Sequence, residues 1–192
     1  MRLDDIRKNI NEIDDKMKTL FDARMECATE VAKVKIETGD SIYKPVREKE
    51  MYERFIDNPD YVVFLKKVVQ ISRRRQYELF FVDDTKGLKE FVTSDLKDGK
   101  LVSVSSPSLK EYIENEIKDG KLELTLRADR KSEKGLCIKD ILSIISASTL
   151  DIEKLDVDSE KDTVFVTFNV PKDDISQKEA YLIKYMLESE TL

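Results

Sequence analysis

The side chains best placed to do chemistry in this sequence are cations and neutral donors, not nucleophiles. Arg24 interrupts a run of apolar positions, Leu3, Ile6, Ile10, Ile13, Met17, Leu20, Cys27, Val31 and Val34, whose alternating three-four spacing marks one stripe of a helix. An unpaired buried guanidinium is costly, so the stripe must meet either a carboxylate or an anionic ligand at that level. No acidic residue occupies the stripe itself. Lys35 follows three helical turns later within about 20°, so both cations look out of one face about 16 Å apart along the axis. Arg7 is not part of that pair: it lies about 25 Å before Arg24 and is rotated by about 100°. A second copy of the helix, crossing antiparallel near residue 18, would bring Arg7 level with the stretch between Arg24 and Lys35. Two-fold symmetry would then build two equivalent cationic sites.

Arg47 with Glu48, and Ser72 with Gln76, add a carboxylate and neutral hydrogen-bonding groups. The four-residue spacing of Ser72 and Gln76 puts both on one helical face. Taken singly, Lys35, Arg47, Glu48, Ser72 and Gln76 each also fit ordinary polar surface positions. The sequence contains no histidine, and its two cysteines, Cys27 and Cys137, are far apart. Ser-His-Asp and Cys-His nucleophile systems are excluded, and a zinc site or disulfide scaffold is not expected. Cys27 reads as a small buried hydrophobe on the stripe. No metal or cofactor is expected.

These groups are set in 192 residues that are 40% hydrophobic and 39% charged, with 34 basic against 40 acidic side chains for a net charge of −6. That surface is mixed, which argues against nucleic-acid or membrane-surface binding. Short apolar runs and the Met1-Arg2-Leu3-Asp4-Asp5 start fit neither a membrane span nor a secretion signal, so a cytoplasmic protein is expected.

The elements that must position the side chains follow from periodicity and punctuation. A first helix is expected from Leu3 to Thr38, closed by Gly39 and Asp40. A short second helix runs from Pro45 to about Asp57, and a third, capped by Asn58, from Pro59 to about Phe81. A polar stretch beginning at Asp83 marks a boundary. The reading is a helical domain over residues 1–85, a linker over 86–99 and an α+β domain over 100–192. In the last, Leu122, Leu124 and Leu126 alternate, as do Val164, Val166, Phe168 and Val170. Helices are expected from Ser106 to Gly120, from Leu136 to Ser146, and at the end, where Ser176 and Glu179 form a capping box. The expected order is β-α-β-α-β-β-α.

Residues 1–80 resemble the all-helical chorismate mutases, three-helix proteins that form intertwined dimers. The resemblance is carried by Ile6-Arg7-Lys8, Ile13-Asp14, Ala23-Arg24, Val31-Ala32-Lys33-Val34-Lys35, Pro45-Val46-Arg47-Glu48, and Ser72 with Gln76. It implies conversion of chorismate to prephenate. Arg24 and Arg47 would hold substrate carboxylates, with Arg7 arriving from the partner subunit and Ser72 assisting. Lys35 and Gln76 would donate to the ether oxygen, and Glu48 would accept from the ring hydroxyl. Lys44 stands where many members of the family carry an aspartate, which bears on hydroxyl positioning. A pericyclic rearrangement needs no nucleophile, metal or proton shuttle, only a dianion held compact and fixed donors where charge develops.

The segment Lys131-Ser132-Glu133-Lys134-Gly135-Leu136, with the helix after it and Asp151-Ile152-Glu153-Lys154-Leu155, resembles an ACT-type, ferredoxin-like domain. That resemblance implies binding of phenylalanine or tyrosine near Gly135 and Leu136, with modulation of the mutase, or a role in assembly alone. Two other functions fit the same residues: an isochorismate pyruvate lyase, and a non-catalytic dimeric sensor of aromatic amino acids.

Overall fold

The computed structural model describes residues 2–80, 92–97, 100–105, 116–130 and 135–191. The first helix, α1 (Leu3–Thr38), has the expected limits. Asp5 accepts from the Arg2 amide at its start, at 3.1 Å. At its end Gly39 adopts φ 68°, a left-handed conformation that glycine enters without a Cβ clash. The Asp40 amide then donates to Lys35 O at 3.0 Å, satisfying one of the last carbonyls.

Pro45 opens α2 (Pro45–Glu53), which ends before the expected Asp57. The amides of Phe55 and Asn58 bond three residues back, to Tyr52 O and Phe55 O, so the chain tightens into successive turns. Phe55 meets Tyr61 edge-on at 5.0 Å, tying those turns to the next helix. Asn58 caps α3 (Pro59–Phe80) as expected, its Oδ1 accepting from the Tyr61 amide at 3.1 Å.

Two antiparallel strands, β1 (Val92–Lys97) and β2 (Lys100–Ser105), form a separate pair. β1 lies inside the stretch expected to be a linker. The helix expected over Ser106–Gly120 falls largely outside the described residues. Then come β3 (Lys121–Arg127), α4 (Ile138–Ile145), β4 (Asp151–Asp158), β5 (Thr163–Asn169) and α5 (Asp174–Thr191). The three strands form one antiparallel sheet in the order β3-β5-β4.

The alternation read in the sequence is the core pattern of this sheet. Leu122, Leu124, Leu126, Val164, Val166 and Phe168 are buried, and α4 and α5 cover them with Ile141, Ile144, Ile183 and Leu187. Ser176 does not cap α5. Asp173 Oδ1 accepts from the Ser176 amide at 2.8 Å, and Glu179 is drawn inward to pair with Arg74 of α3. A buried partner on another element outcompetes a local cap for the Glu179 carboxylate.

The helical and α+β parts share a core, because Ile42 and Tyr77 belong to the same buried cluster as the sheet. Tyr77 meets Tyr185 edge-on at 5.4 Å. Arg74 donates to Ala147 O at 3.2 Å, and Ser143 donates to Gln70 at 3.0 Å. α3 is therefore the element to which both α1 and the sheet's helices are fixed. Among the described residues no helix is long and apolar enough to cross a membrane.

Candidate active site

Only Ala28 and Ala32 are buried along α1. With Arg24 and Lys35 they follow a 4-4-3 spacing, which makes one face of the helix. Alanine at these two positions lets α1 approach α3 closely while the two long cations reach across. Arg24 Nη1 donates to Ser72 Oγ at 2.7 Å. Lys35 Nζ donates to Ile42 O at 2.7 Å and to Gln76 Oε1 at 3.3 Å. Gln76 Nε2 in turn donates to Ser72 O at 3.3 Å, which fixes the amide with its oxygen toward the lysine.

Four of the expected residues, two from each helix, thus form one connected set. Its electrostatics favour an anion. Among the described residues no ion pair involves Arg24 or Lys35, whose partners here are neutral. An ammonium has three protons, and the two bonds of Lys35 leave one for a ligand. Burial pushes the Lys35 pKa below the ordinary lysine value, partly opposed by Asp40, while Lys44 and Arg47 act in the same direction as burial. Arg47 is exposed at the start of α2.

Glu48 is close enough to act on Lys35 electrostatically, but its carboxylate is engaged elsewhere. Arg73 Nη1 donates to its two oxygens at 3.1 and 3.0 Å, and Tyr52 Oη donates to Oε2 at 3.2 Å. Arg73 is only 5% exposed and its guanidinium lies 4.9 Å from the Tyr43 ring. The sequence reading missed it. The run Arg73-Arg74-Arg75 between Ser72 and Gln76 was the available signal, since three arginines in a row cannot all face solvent on one helix.

Arg7 is not brought to this set. It is exposed and paired loosely with Asp4 on its own helix, at 3.8 Å. Lys44 pairs with Asp40. Cys27 is exposed, against the expectation of burial, and so is the stripe to which it belongs. Among the described residues of one chain nothing packs against that stripe.

Gly135 and Leu136 lie apart from the Arg24–Gln76 set, on a cleft of about 530 Å³ between α2, α3 and the start of α4. Tyr43, Tyr52, Glu48, Arg73 and Asp140 also line it. Leu136 is 2% exposed and belongs to the sheet's core as well. Gly135 has φ 107°, which side-chain-bearing residues rarely adopt. Among the described residues no cluster of His, Cys, Asp or Glu is arranged to hold a metal ion.

Residues 6–77 match the family model for Chorismate mutase type II. A curated relative, the chorismate mutase of Methanocaldococcus jannaschii, is 43% identical over 53 residues, which is 28% of this chain. The match spans 54% of that relative, about half its length. No solved structure matches the chain.

Proposed function

We propose that this chain is a chorismate mutase that converts chorismate to prephenate by a pericyclic rearrangement in the biosynthesis of phenylalanine and tyrosine. The observation that carries the reading is the connected set Arg24–Ser72 and Gln76–Lys35. It offers two cations with neutral partners to a substrate that carries two carboxylates. Arg24, with Arg47 at the start of α2, holds those carboxylates, and Ser72 orients Arg24. Lys35 and Gln76 donate to the ether oxygen, where negative charge grows as the carbon–oxygen bond breaks. Glu48 accepts from the ring hydroxyl and fixes the ring relative to the side chain that must fold over it.

The working form on this reading is an intertwined cytoplasmic homodimer. Leu3, Ile6, Ile10, Ile13, Met17 and Leu20 are all exposed on the single chain, Leu20 at 71%. Covering them with a second α1 removes that apolar surface from water and brings Arg7 to the partner's site. The C-terminal part acts as an ACT-like regulatory domain. The cleft bearing Gly135 and Leu136 supports phenylalanine or tyrosine as its ligand, because aromatic walls there stand beside groups of both charges, as an amino acid requires.

The test is to add chorismate to the purified chain and identify the product. Prephenate supports the mutase. Release of pyruvate from isochorismate, with chorismate untouched, points to the lyase. Amino-acid binding with neither dianion consumed points to a sensor.

A further inference from the structure

Arg73 stands between two carboxyl groups that belong to different parts of the chain. Its Nη1 bonds both oxygens of Glu48 on α2, and its Nε lies 3.2 Å from Glu190 Oε1 in the last turn of α5. The Glu190 side chain has no solvent exposure and that of Arg73 has 6%. Among the described residues, no hydrogen bond of good geometry joins Arg73 Nε to Glu190, and Tyr77 is the neutral group that bonds the Glu190 carboxyl. The Arg73–Glu190 contact is thus an electrostatic attraction rather than a geometrically locked bond. An arginine that holds a catalytic carboxylate with one nitrogen, and faces a second buried carboxyl with another, divides its attraction between the two.

We propose that Glu190 is a positioning residue for the mutase reaction: by sharing Arg73 it sets how firmly Arg73 withholds the Glu48 carboxylate from substrate. This rests on the mutase reading and on the role given there to Glu48. When Glu190 is ionised, Arg73 is drawn partly toward α5, and Glu48 can accept from the substrate hydroxyl. When Glu190 is neutral, Arg73 closes on Glu48 as its one remaining charged partner. The C-terminal helix thereby reaches the active site without touching substrate.

The groups around Glu190 are Arg73 and Tyr77 of α3, Glu48 of α2, Tyr43 just before α2, and Asp140 of α4. Burial raises the Glu190 pKa to about 7, against the pull of Arg73. Its charge therefore changes near neutral pH.

The experiment measures kcat and KM for chorismate from pH 5.5 to 8.5 with the full chain, Glu190→Gln, Glu48→Gln and the double variant. At pH 8, Glu190→Gln is expected to lower kcat/KM about tenfold, the scale of a displaced catalytic group. The unaltered chain should fall toward the variant's level on acidification, while the variant stays level. In the Glu48→Gln background the same substitution should change kcat/KM by less than about twofold, because its route of action is already gone. Equal losses in both backgrounds would mean a merely structural role and overturn the proposal, as would full activity of Glu190→Gln at every pH. If the unaltered chain consumes no chorismate, the mutase reading fails separately. The crystal structure of Glu190→Gln then decides: a guanidinium shifted away from α5 toward Glu48, with shorter bonds than the present 3.0 and 3.1 Å, supports the sharing, and an unmoved guanidinium overturns it.

Discussion

The guanidinium of Arg24 on α1 and the hydroxyl of Ser72 on α3 meet at 2.7 Å, so the cation that interrupts the apolar stripe is held by a neutral partner. A carboxylate there would have neutralised it. A hydroxyl orients it and leaves its charge for an anion.

Arg24→Leu completes the stripe and removes a half-buried charge, so thermal unfolding should show no loss of stability. Turnover should fall by about two to three orders of magnitude, the cost of losing a charged contact to substrate. Circular-dichroism melts beside kcat/KM for chorismate check both. Leu20→Glu places a charge on the exposed stripe instead and should give monomers by sedimentation, with activity lost although Leu20 touches no site residue.

The proposed sharing of each site between two subunits makes a separate prediction. Arg7→Ala and Lys35→Ala chains are each expected to be inactive as homodimers. Unfolded and refolded together, they should recover about a quarter of the sites, since half the dimers are mixed and each has one intact site. Failure to recover activity from demonstrated mixed dimers would put Arg7 outside the site.

Gln76 does not titrate, and Lys35 must keep its proton to donate. Because burial lowers the Lys35 pKa, the alkaline fall in turnover should begin below the range of an ordinary lysine. Gln76→Glu should shift activity toward acid, where the new carboxyl can donate. Rate profiles from pH 4 to 10 test both.

Glu190 also links stability to pH. Its folded pKa is raised from 4.5 to about 7, so the folded state holds the proton more tightly than the unfolded chain does. Its contribution is therefore most favourable below pH 4.5 and weakens as pH rises toward 7, by up to about 3 kcal/mol. Glu190→Gln removes this dependence. In urea unfolding across that window, the variant should gain on the unaltered chain as pH rises.

Residues with local causes were legible in the sequence. Gly39 closing α1, Pro45 opening α2, Asn58 capping α3 and the alternating leucines of β3 all act within a few positions. So did the pairing of Arg24 and Lys35 on one face, which needs only helix periodicity. The missed features depend on contacts distant in sequence. Glu179 suits a capping box until Arg74 claims it, and Glu190 looks like a surface carboxylate until α5 docks on α3. The arginine run marked that one of the three is buried but not which, because burial depends on which face α3 turns to α2 and α5. The stripe of α1 was read correctly as apolar, but its burial requires a surface that the described residues of one chain do not supply.

The most direct test is chorismate consumption by the full chain beside Lys35→Ala, with both proteins shown to be folded and of the same oligomeric state. The account predicts prephenate from the first and a loss of at least about a hundredfold in the second, from removal of a donor to the breaking bond. Equal turnover by both, or none by the unaltered chain, would contradict it.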